Sequence, residues 1–490
     1  MPSEPEPDRA YRPIRRNPTA PDLTYRSPTR FRMKSAAHPS LPARAGLVRI
    51  RCAGVADPVA THPGATDLLV RLGPTDPRGR RSLEVIAIGT AAQVNAHGEA
   101  ARADAVGLDD SVLLPGLVNA HTHLDLTHLG PLEHRPEDGF VAWVERIRAG
   151  RAHDAEAIAG AVRQGIELSL RAGTVLVGDI AGAPGGRPSL APLHTLALSP
   201  LRGISFLEFF AIGSRERDSL ERVEQTLRGA PAIDQASGVR LGLQPHAPNT
   251  VGLAGYRRAG EWARRWRLRL ATHLAETPEE REFVLCGTGP QRAMLERFGL
   301  WSDAMLGEIG SGRSPVEHLA PVLAGSEYLL AHVNDLGEDH ALAIEMLRAA
   351  GASVAYCPRA SAYFGAPSHF GPHRYREMLR AGVNVCLGTD SVVNLPPGCE
   401  RSEGCGMSVL DEARLLFRRD GADPEQLLAM MTVNGARALG WEDHSRFSFR
   451  AGSRPLGLVA VGVGGSRPGV SASARLLESD RPATLLAVGE

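Results

Sequence analysis

Eight short apolar runs, each followed by a stretch of helical periodicity, constrain this chain more than any other feature. They are VLLPGLVNA (112–120), TVLVGDI (174–180), GISFLEFFAI (203–212), VRLGLQPH (239–246), LRLATHLAE (268–276), EYLLAHVN (327–334), SVAYCP (353–358) and VNVCLGTD (383–390). Near-continuous Val, Leu and Ile bounded by Gly, Pro or Asp is the pattern of strands buried on both faces. Between them, AEAIAGAVRQGIELSLRAG, RERDSLERVEQTLRG, AGYRRAGEWARRW, HALAIEMLRAAG and RYREMLRAG repeat apolar residues at helical spacing. Several close on a glycine, as a helix C-terminus prefers. Eight strand-then-helix units in roughly 300 residues predict an α/β fold, a (β/α)8 barrel. A doubly wound open sheet normally carries a Gly-rich phosphate turn after its first strand, and none is present.

The flanks differ. Residues 1–45 hold nine prolines and eight arginines without apolar periodicity, and read as a disordered or loosely attached tail. GLVRIRCAG (46–54), DLLVRL (67–72) and SLEVIAIG (82–89) read as strands of a small β unit. Beyond the barrel, DEARLLFRR and PEQLLAMMTVNGARALG are helical, and PLGLVAVGV and ATLLAVGE return to short apolar runs. These last runs are expected to rejoin the N-terminal strands. The expected division is a tail over 1–45, a composite β domain over 46–112 and 441–490, and a barrel over 113–440.

Composition narrows the chemistry. The formal net charge is zero, so no nucleic-acid partner is expected. No apolar run reaches the roughly 18 residues of a transmembrane helix, and the N-terminus lacks the apolar core of a signal peptide. The six cysteines form no CxxC pair, which argues against a disulfide framework or zinc ribbon and fits a reducing cytoplasm. Lys34 is the single lysine. Schiff-base, pyridoxal-phosphate and P-loop chemistries all need a lysine in the active domain, and Lys34 lies in the tail.

Functional groups of a (β/α)8 barrel project from the C-terminal ends of its strands. The first run ends in His121-Thr122-His123, where alternate residues of an extended segment face one side. The fourth ends in His246 and the fifth in His273, with Glu276 three residues on. The sixth ends in His332 and the eighth in Asp390. One strand-end histidine is commonly structural, but this many at matching ends describe a catalytic divalent-metal site with an open position.

PGLVNAHTHLDL, PHAPNT, ATHLAET, LAHVND and LGTDS closely resemble the ordered motifs of the amidohydrolase superfamily. The match is best to its deaminase and chlorohydrolase-like branch, with members such as aminofutalosine, guanine and cytosine deaminases. The resemblance covers about 105–440 and implies a (β/α)8 barrel inserted in a small β-sandwich domain, with one catalytic metal, zinc or iron. By motif, the metal ligands are His121, His123, His273 and Asp390. Glu276 matches the proton shuttle, His332 the histidine that orients the attacking water or the developing tetrahedral centre, and His246 a substrate contact. A further branch bridges two metals with a carboxylated lysine. The lysine-free barrel excludes it.

Substrate-side features are fewer. DGFVAWVERI resembles a Phe-x-x-Trp segment of aminofutalosine-deaminase-like members, which offers Phe140 and Trp143 for stacking on a planar ring. CPRASAYFG resembles a CPRSN segment, with Ala360-Ser361 in place of Ser-Asn, and Arg359 is a candidate contact for an anionic or ribosyl group. His128 and His134, in the loop after the first run, are read as surface residues. Cys357 and Cys386 are read as buried, inert thiols. The expected function is hydrolytic deamination of an aminated heteroaromatic ring of purine, nucleoside or pterin type. Hydroxide formed at the metal attacks the amidine carbon, and ammonia leaves. Cyclic-amide hydrolysis of imidazolonepropionase type and halide release are the enzymatic alternatives, and a non-catalytic scaffold is the alternative of another class. The expected partner is a small molecule, with neither nucleic acid nor membrane, and the chain is expected to pair as a homodimer by family analogy.

Overall fold

The computed structural model describes residues 41–490 except 63, 397–405, 466 and 468. The expected tail therefore lies outside the described residues up to position 40, as do Cys399 and Cys405. From residue 41 the chain is attached. Leu41 is buried, and the Arg81 guanidinium donates hydrogen bonds to the carbonyls of Pro42 and Arg44.

Fourteen strands are described: β1 Gly46–Val55, β2 Asp67–Thr75, β3 Arg81–Gly89, β4 Asp104–Pro115, β5 Leu117–Thr122, β6 Thr174–Ala181, β7 Arg202–Phe209, β8 Val239–Pro245, β9 Arg269–Leu274, β10 Tyr328–His332, β11 Ser353–Tyr356, β12 Asn384–Leu387, β13 Gly457–Gly462 and β14 Ala483–Val488. Strands β5 to β12 run parallel in chain order through one eight-stranded sheet. The ring closes where Thr122 pairs with Asp390 and the amides of Thr389 and Asp390 donate to the carbonyl of His121. The fold is thus the expected parallel α/β barrel.

Local chemistry explains its parts. β6 is buried along its whole length, as a strand sandwiched between helices and barrel interior must be. A Cβ at Gly178 would stand 2.1 Å from the Ala120 carbonyl oxygen, so only glycine lets those strands approach. The helix Ala155–Arg171 begins where the Asp154 carboxylate accepts the Ala157 amide at 2.8 Å. Its buried Ile158, Val162, Ile166 and Leu170 recur at helical spacing.

The first expected run is divided between two sheets. Val112–Pro115 completes β4, and β5 begins at Leu117. Proline has no amide to continue a ladder, and a Cβ at Gly116 would lie 2.5 Å from Val175 Cγ2. This Pro-Gly pair lets the chain leave one sheet and enter the next.

The other sheet has six strands in the order β14-β13-β4-β1-β2-β3. It joins both ends of the described chain, as the C-terminal apolar runs suggested. It has its own core, in which Val48, Ile50, Leu68, Val85, Leu113 and Leu458 pack together. Arg80, in the β2–β3 hairpin, ties this sheet to the barrel at the ends of the strands remote from the site. Only 1% exposed, its guanidinium donates to the carbonyls of Ser199, Pro200, Leu201, Ala236 and Ser237, just before β7 and β8.

Candidate active site

The C-terminal ends of β5, β9, β10 and β12 bring four histidines and one aspartate together. His121 lies on β5 and His123 one residue past it, His273 on β9, His332 at the end of β10, and Asp390 three residues after β12. His123 Nε2 and His273 Nε2 are 3.2 Å apart. Asp390 Oδ1 lies 3.3 Å from His123 Nε2 and 3.6 Å from His121 Nε2. One donor atom each from His121, His123 and His273 falls within 4.8 Å of the others, and the same holds for His121, His332 and Asp390.

Burial sets the electrostatics. Desolvation pushes the His123 ring down to about 4 and the His332 ring to about 3, and it holds His273 well below its ordinary value. These rings are neutral at pH 7. Burial alone would raise the Asp390 carboxyl, but the neighbouring imidazoles of His121, His123 and His332 hold it below the usual carboxylate range. Asn394 Nδ2 donates to Asp390 Oδ2. Asp390 has φ +57°, a left-handed turn that aims its carboxylate back across the barrel mouth.

Among the described residues, both ring nitrogens of His121, Nδ1 of His123 and Nε2 of His332 are buried without a hydrogen-bond partner. Buried polar atoms are ordinarily satisfied. Neutral imidazoles facing one another beside an ionised carboxylate form a donor set that suits a divalent cation of zinc or iron type. The residues present therefore fit such a metal.

Glu276 lies just past β9, its Oε1 3.4 Å from His332 Nε2. Burial, then the charges of Asp390, Glu280 and Glu279, push its carboxyl well above the usual range. Asp390, across the site, is driven the opposite way. Two carboxyl groups driven in opposite directions are a recurrent acid–base arrangement.

A cavity of about 530 Å³ opens over this cluster and is lined by His123, His246, His273, Glu276 and Asp390. His246 Nδ1 lies 2.7 Å from Thr250 Oγ1. Phe140 and Trp143 stack at 5.3 Å, and both line the same cavity. Arg359 is elsewhere. Its guanidinium donates to Glu412 and to the carbonyls of Gly406 and Ser408, and it does not line the cavity. It is spent on the fold and not free for a substrate. His128 and His134 also stay outside the cavity lining. Cys357 and Cys386 are buried, and burial raises both thiols.

Glu208 and Arg151 escaped the reading of the sequence. Glu208, on β7, is 2% exposed and lines the cavity. Its Oε2 accepts the Ala183 amide at 3.2 Å, and its Oε1 lies 3.9 Å from His246 Nε2. Arg151 donates to Asp125 at 2.8 Å and stands 3.8 Å from Glu208. A lone carboxylate within the apolar run GISFLEFFAI was the signal, because an acid is almost never fully buried without a partner.

A barrel that gathers buried histidines and an aspartate at its strand ends defines a metal-dependent hydrolase. The amidohydrolase family model matches residues 112–445, and the chain belongs to that family. It is accordingly a hydrolase of carbon–nitrogen bonds other than peptide bonds. Among individual proteins, it is 30% identical over 348 residues to an aminodeoxyfutalosine deaminase of Deinococcus radiodurans, covering 67% of this chain and 74% of that one. It is 27% identical over 357 residues to a 5-methylthioadenosine/S-adenosylhomocysteine deaminase of Teredinibacter turnerae, covering 69% of each. The crystal structure of Helicobacter pylori aminofutalosine deaminase in complex with methylthio-coformycin shares the fold. Its TM-score is 0.66 at 20% identity, covering 89% of this chain and 98% of that one.

Proposed function

We propose that this chain is a mononuclear metal-dependent deaminase of an aminated heteroaromatic ring carried by a purine-nucleoside-like substrate. In this reading His121, His123, His273 and Asp390 hold one divalent metal, zinc or iron. When bound, that metal supplies Lewis acidity and lowers the pKa of water at the site. Asp390, ionised, takes the proton that the attacking water loses. Glu276, protonated, gives its proton to the ring nitrogen beside the amino-bearing carbon. His332 offers a ring N–H to the new oxygen as charge develops there. The proton held by Asp390 passes to the departing amine and the proton left on the new oxygen returns to Glu276, so that water and C–NH2 become C=O and ammonia with both acids restored. Phe140 and Trp143 flank the ring plane, and His246 and Glu208 face its edge.

The convergence of His121, His123, His273, His332, Asp390 and Glu276 at the floor of one cavity is the observation that carries this reading. A scaffold has no use for a buried cluster of unpartnered imidazoles with a carboxyl group on either side. Relatives that carry deaminase names support the choice of an aminated ring over a cyclic amide or an aryl halide.

The six-stranded sheet is read as the small sandwich domain, over 46–112 and 441–490, with the barrel over 113–440. Among the described residues no helix is long and apolar enough to cross a membrane. A cytoplasmic homodimer acting on a small molecule remains our reading.

Elemental analysis of the purified protein, run beside ammonia release from aminated purines, nucleosides, pterins and triazines, tests the proposal. About one zinc or iron per chain with ammonia from a purine nucleoside is expected. Metal without ammonia from any of these rings overturns deamination and leaves cyclic-amide or halide hydrolysis. Absence of metal after reconstitution overturns the enzymatic reading.

A further inference from the structure

Glu276 stands on a stretch of backbone that does not hold itself. Ala275, just before it, has φ +54°, a left-handed conformation that a Cβ disfavours. The segment has left β9 and has not yet entered the helix Pro278–Cys286. Neither ladder nor helix therefore secures the amides that precede the carboxyl.

Glu280 secures them. Its Oε1 accepts the Ala275 amide at 2.8 Å and its Oε2 accepts the Glu276 amide at 2.8 Å. The side chain is 2% exposed. A carboxylate in the first turn of a helix usually serves that helix. Here the Thr277 hydroxyl already caps the helix by accepting the Glu280 amide, and both Glu280 oxygens turn back to amides outside it.

The other side is held from the turn just past β10. The Asn334 amide donates to the Ala275 carbonyl at 2.9 Å, and Asn334 Nδ2 donates to the Glu276 carbonyl at 3.0 Å. Asn334 Oδ1 in turn accepts the Ser361 hydroxyl at 3.0 Å. Ser361 belongs to the CPRAS segment whose departure from the CPRSN pattern the sequence left unexplained.

We propose that Glu280, Asn334 and Ser361 form a clamp of positioning residues that fixes where the Glu276 carboxyl stands against His332. The inference rests on the reading of Glu276 as the group that moves the proton. None of the three lines the cavity, so they act through Glu276. A carboxylate is needed at 280 because two parallel N–H groups require two acceptors, and a glutamine would turn an NH2 group against one of them.

Glu280→Gln tests this in the metal-loaded full chain. The kcat for ammonia release is expected to fall about tenfold to a hundredfold, because small displacements of a reacting group are that expensive. KM should stay within about twofold and metal content should not change. Added to Glu276→Gln, the substitution should lower the residual rate no further, because its target is gone. Hydrogen exchange supplies a readout independent of substrate. The Ala275 and Glu276 amides should exchange faster in Glu280→Gln, while those of β9 stay as they were.

Unchanged exchange at these two amides, or an unchanged kcat, overturns the clamp. A double variant that loses the same factor as the single variant overturns it too, since Glu280 would then act on the fold at large. A wild type that releases no ammonia overturns the functional reading alone, because the exchange comparison still decides the clamp. Should Glu280→Gln fail to fold, Ser361→Ala loosens the opposite jaw. Its kcat is expected to fall about threefold in the wild type and not at all in the Glu276→Gln background. Equal falls in both would overturn the proposal.

Discussion

Replacing Arg80 with methionine is expected to loosen the attachment of the small sheet to the barrel by about 4 kcal/mol. The guanidinium donates to five main-chain carbonyls at 2.6–3.2 Å. Hydrogen bonds from a charged donor contribute about 1.5–3 kcal/mol each, so five at the lower end give roughly 7 kcal/mol. Burial opposes this, pushing the guanidinium down to about 10. At roughly 1.4 kcal/mol per pKa unit, that is a penalty of about 3 kcal/mol on the charged form. Methionine spares the penalty and fills much of the space, but it leaves the carbonyls buried without donors. With an unfolding entropy of about 2.1 cal/mol/K per residue, a chain of this length loses about 4 °C in Tm. Calorimetry of wild type and Arg80→Met reads the shift directly. Turnover and metal content should stay within about twofold, since Arg80 lies at the end of the barrel remote from the site and distant effects are independent. A variant that melts within about 1 °C of wild type would refute the reasoning. The carbonyls would then have found other donors, or the bonds would only balance the burial of the charge.

Three further outcomes follow from the site and its surroundings. His273→Ala should lose at least tenfold in metal affinity, read by elemental analysis after dialysis; full occupancy would reject His273 as a ligand. Glu276→Gln should keep its metal and lose about a hundredfold to ten-thousandfold in kcat, and unaltered turnover would remove it from proton transfer. Burial holds His318 and His373 neutral, each pushed down to about 4. Between pH 6.5 and 4 the unfolded chain binds more protons at these rings than the folded one, so their contribution is complete above about pH 6.5 and is lost on acidification. By pH 5 the loss is about 2 kcal/mol per ring. Denaturant titrations of His318→Leu should show a shallower pH slope than wild type, and an identical slope would contradict the assignment.

The barrel was legible because its strands are buried on both faces and stand out as uninterrupted apolar runs. TVLVGDI at 174–180 matches Thr174–Ala181 almost residue for residue. The run at 112–120 misled because apolarity does not record which sheet a strand joins, and only the Pro115-Gly116 junction marks the change. The histidines and Asp390 were legible because motif and strand end coincide. Arg359 was misplaced because a guanidinium beside a strand end looks the same in sequence whether it faces the cavity or Glu412. Glu208 stayed hidden inside a run counted as apolar. Glu280 drew no reading from the sequence, since nothing in one sequence shows that its oxygens fold back to the amides of Ala275 and Glu276.

The six-stranded sheet places β4 between β1, made shortly before it, and β13, made only after the whole barrel. During synthesis β1 to β4 can assemble early, but one edge of β4 stays bare until β13 has been made. A bare edge invites pairing with other chains, and closing so long a loop is slow. A product truncated before Gly457 would retain His121, His123, His273, Glu276, His332 and Asp390 yet expose that edge. Such a fragment would be lost to aggregation with its site residues intact, so that β13, made long after the first histidines, governs how much active protein a cell obtains.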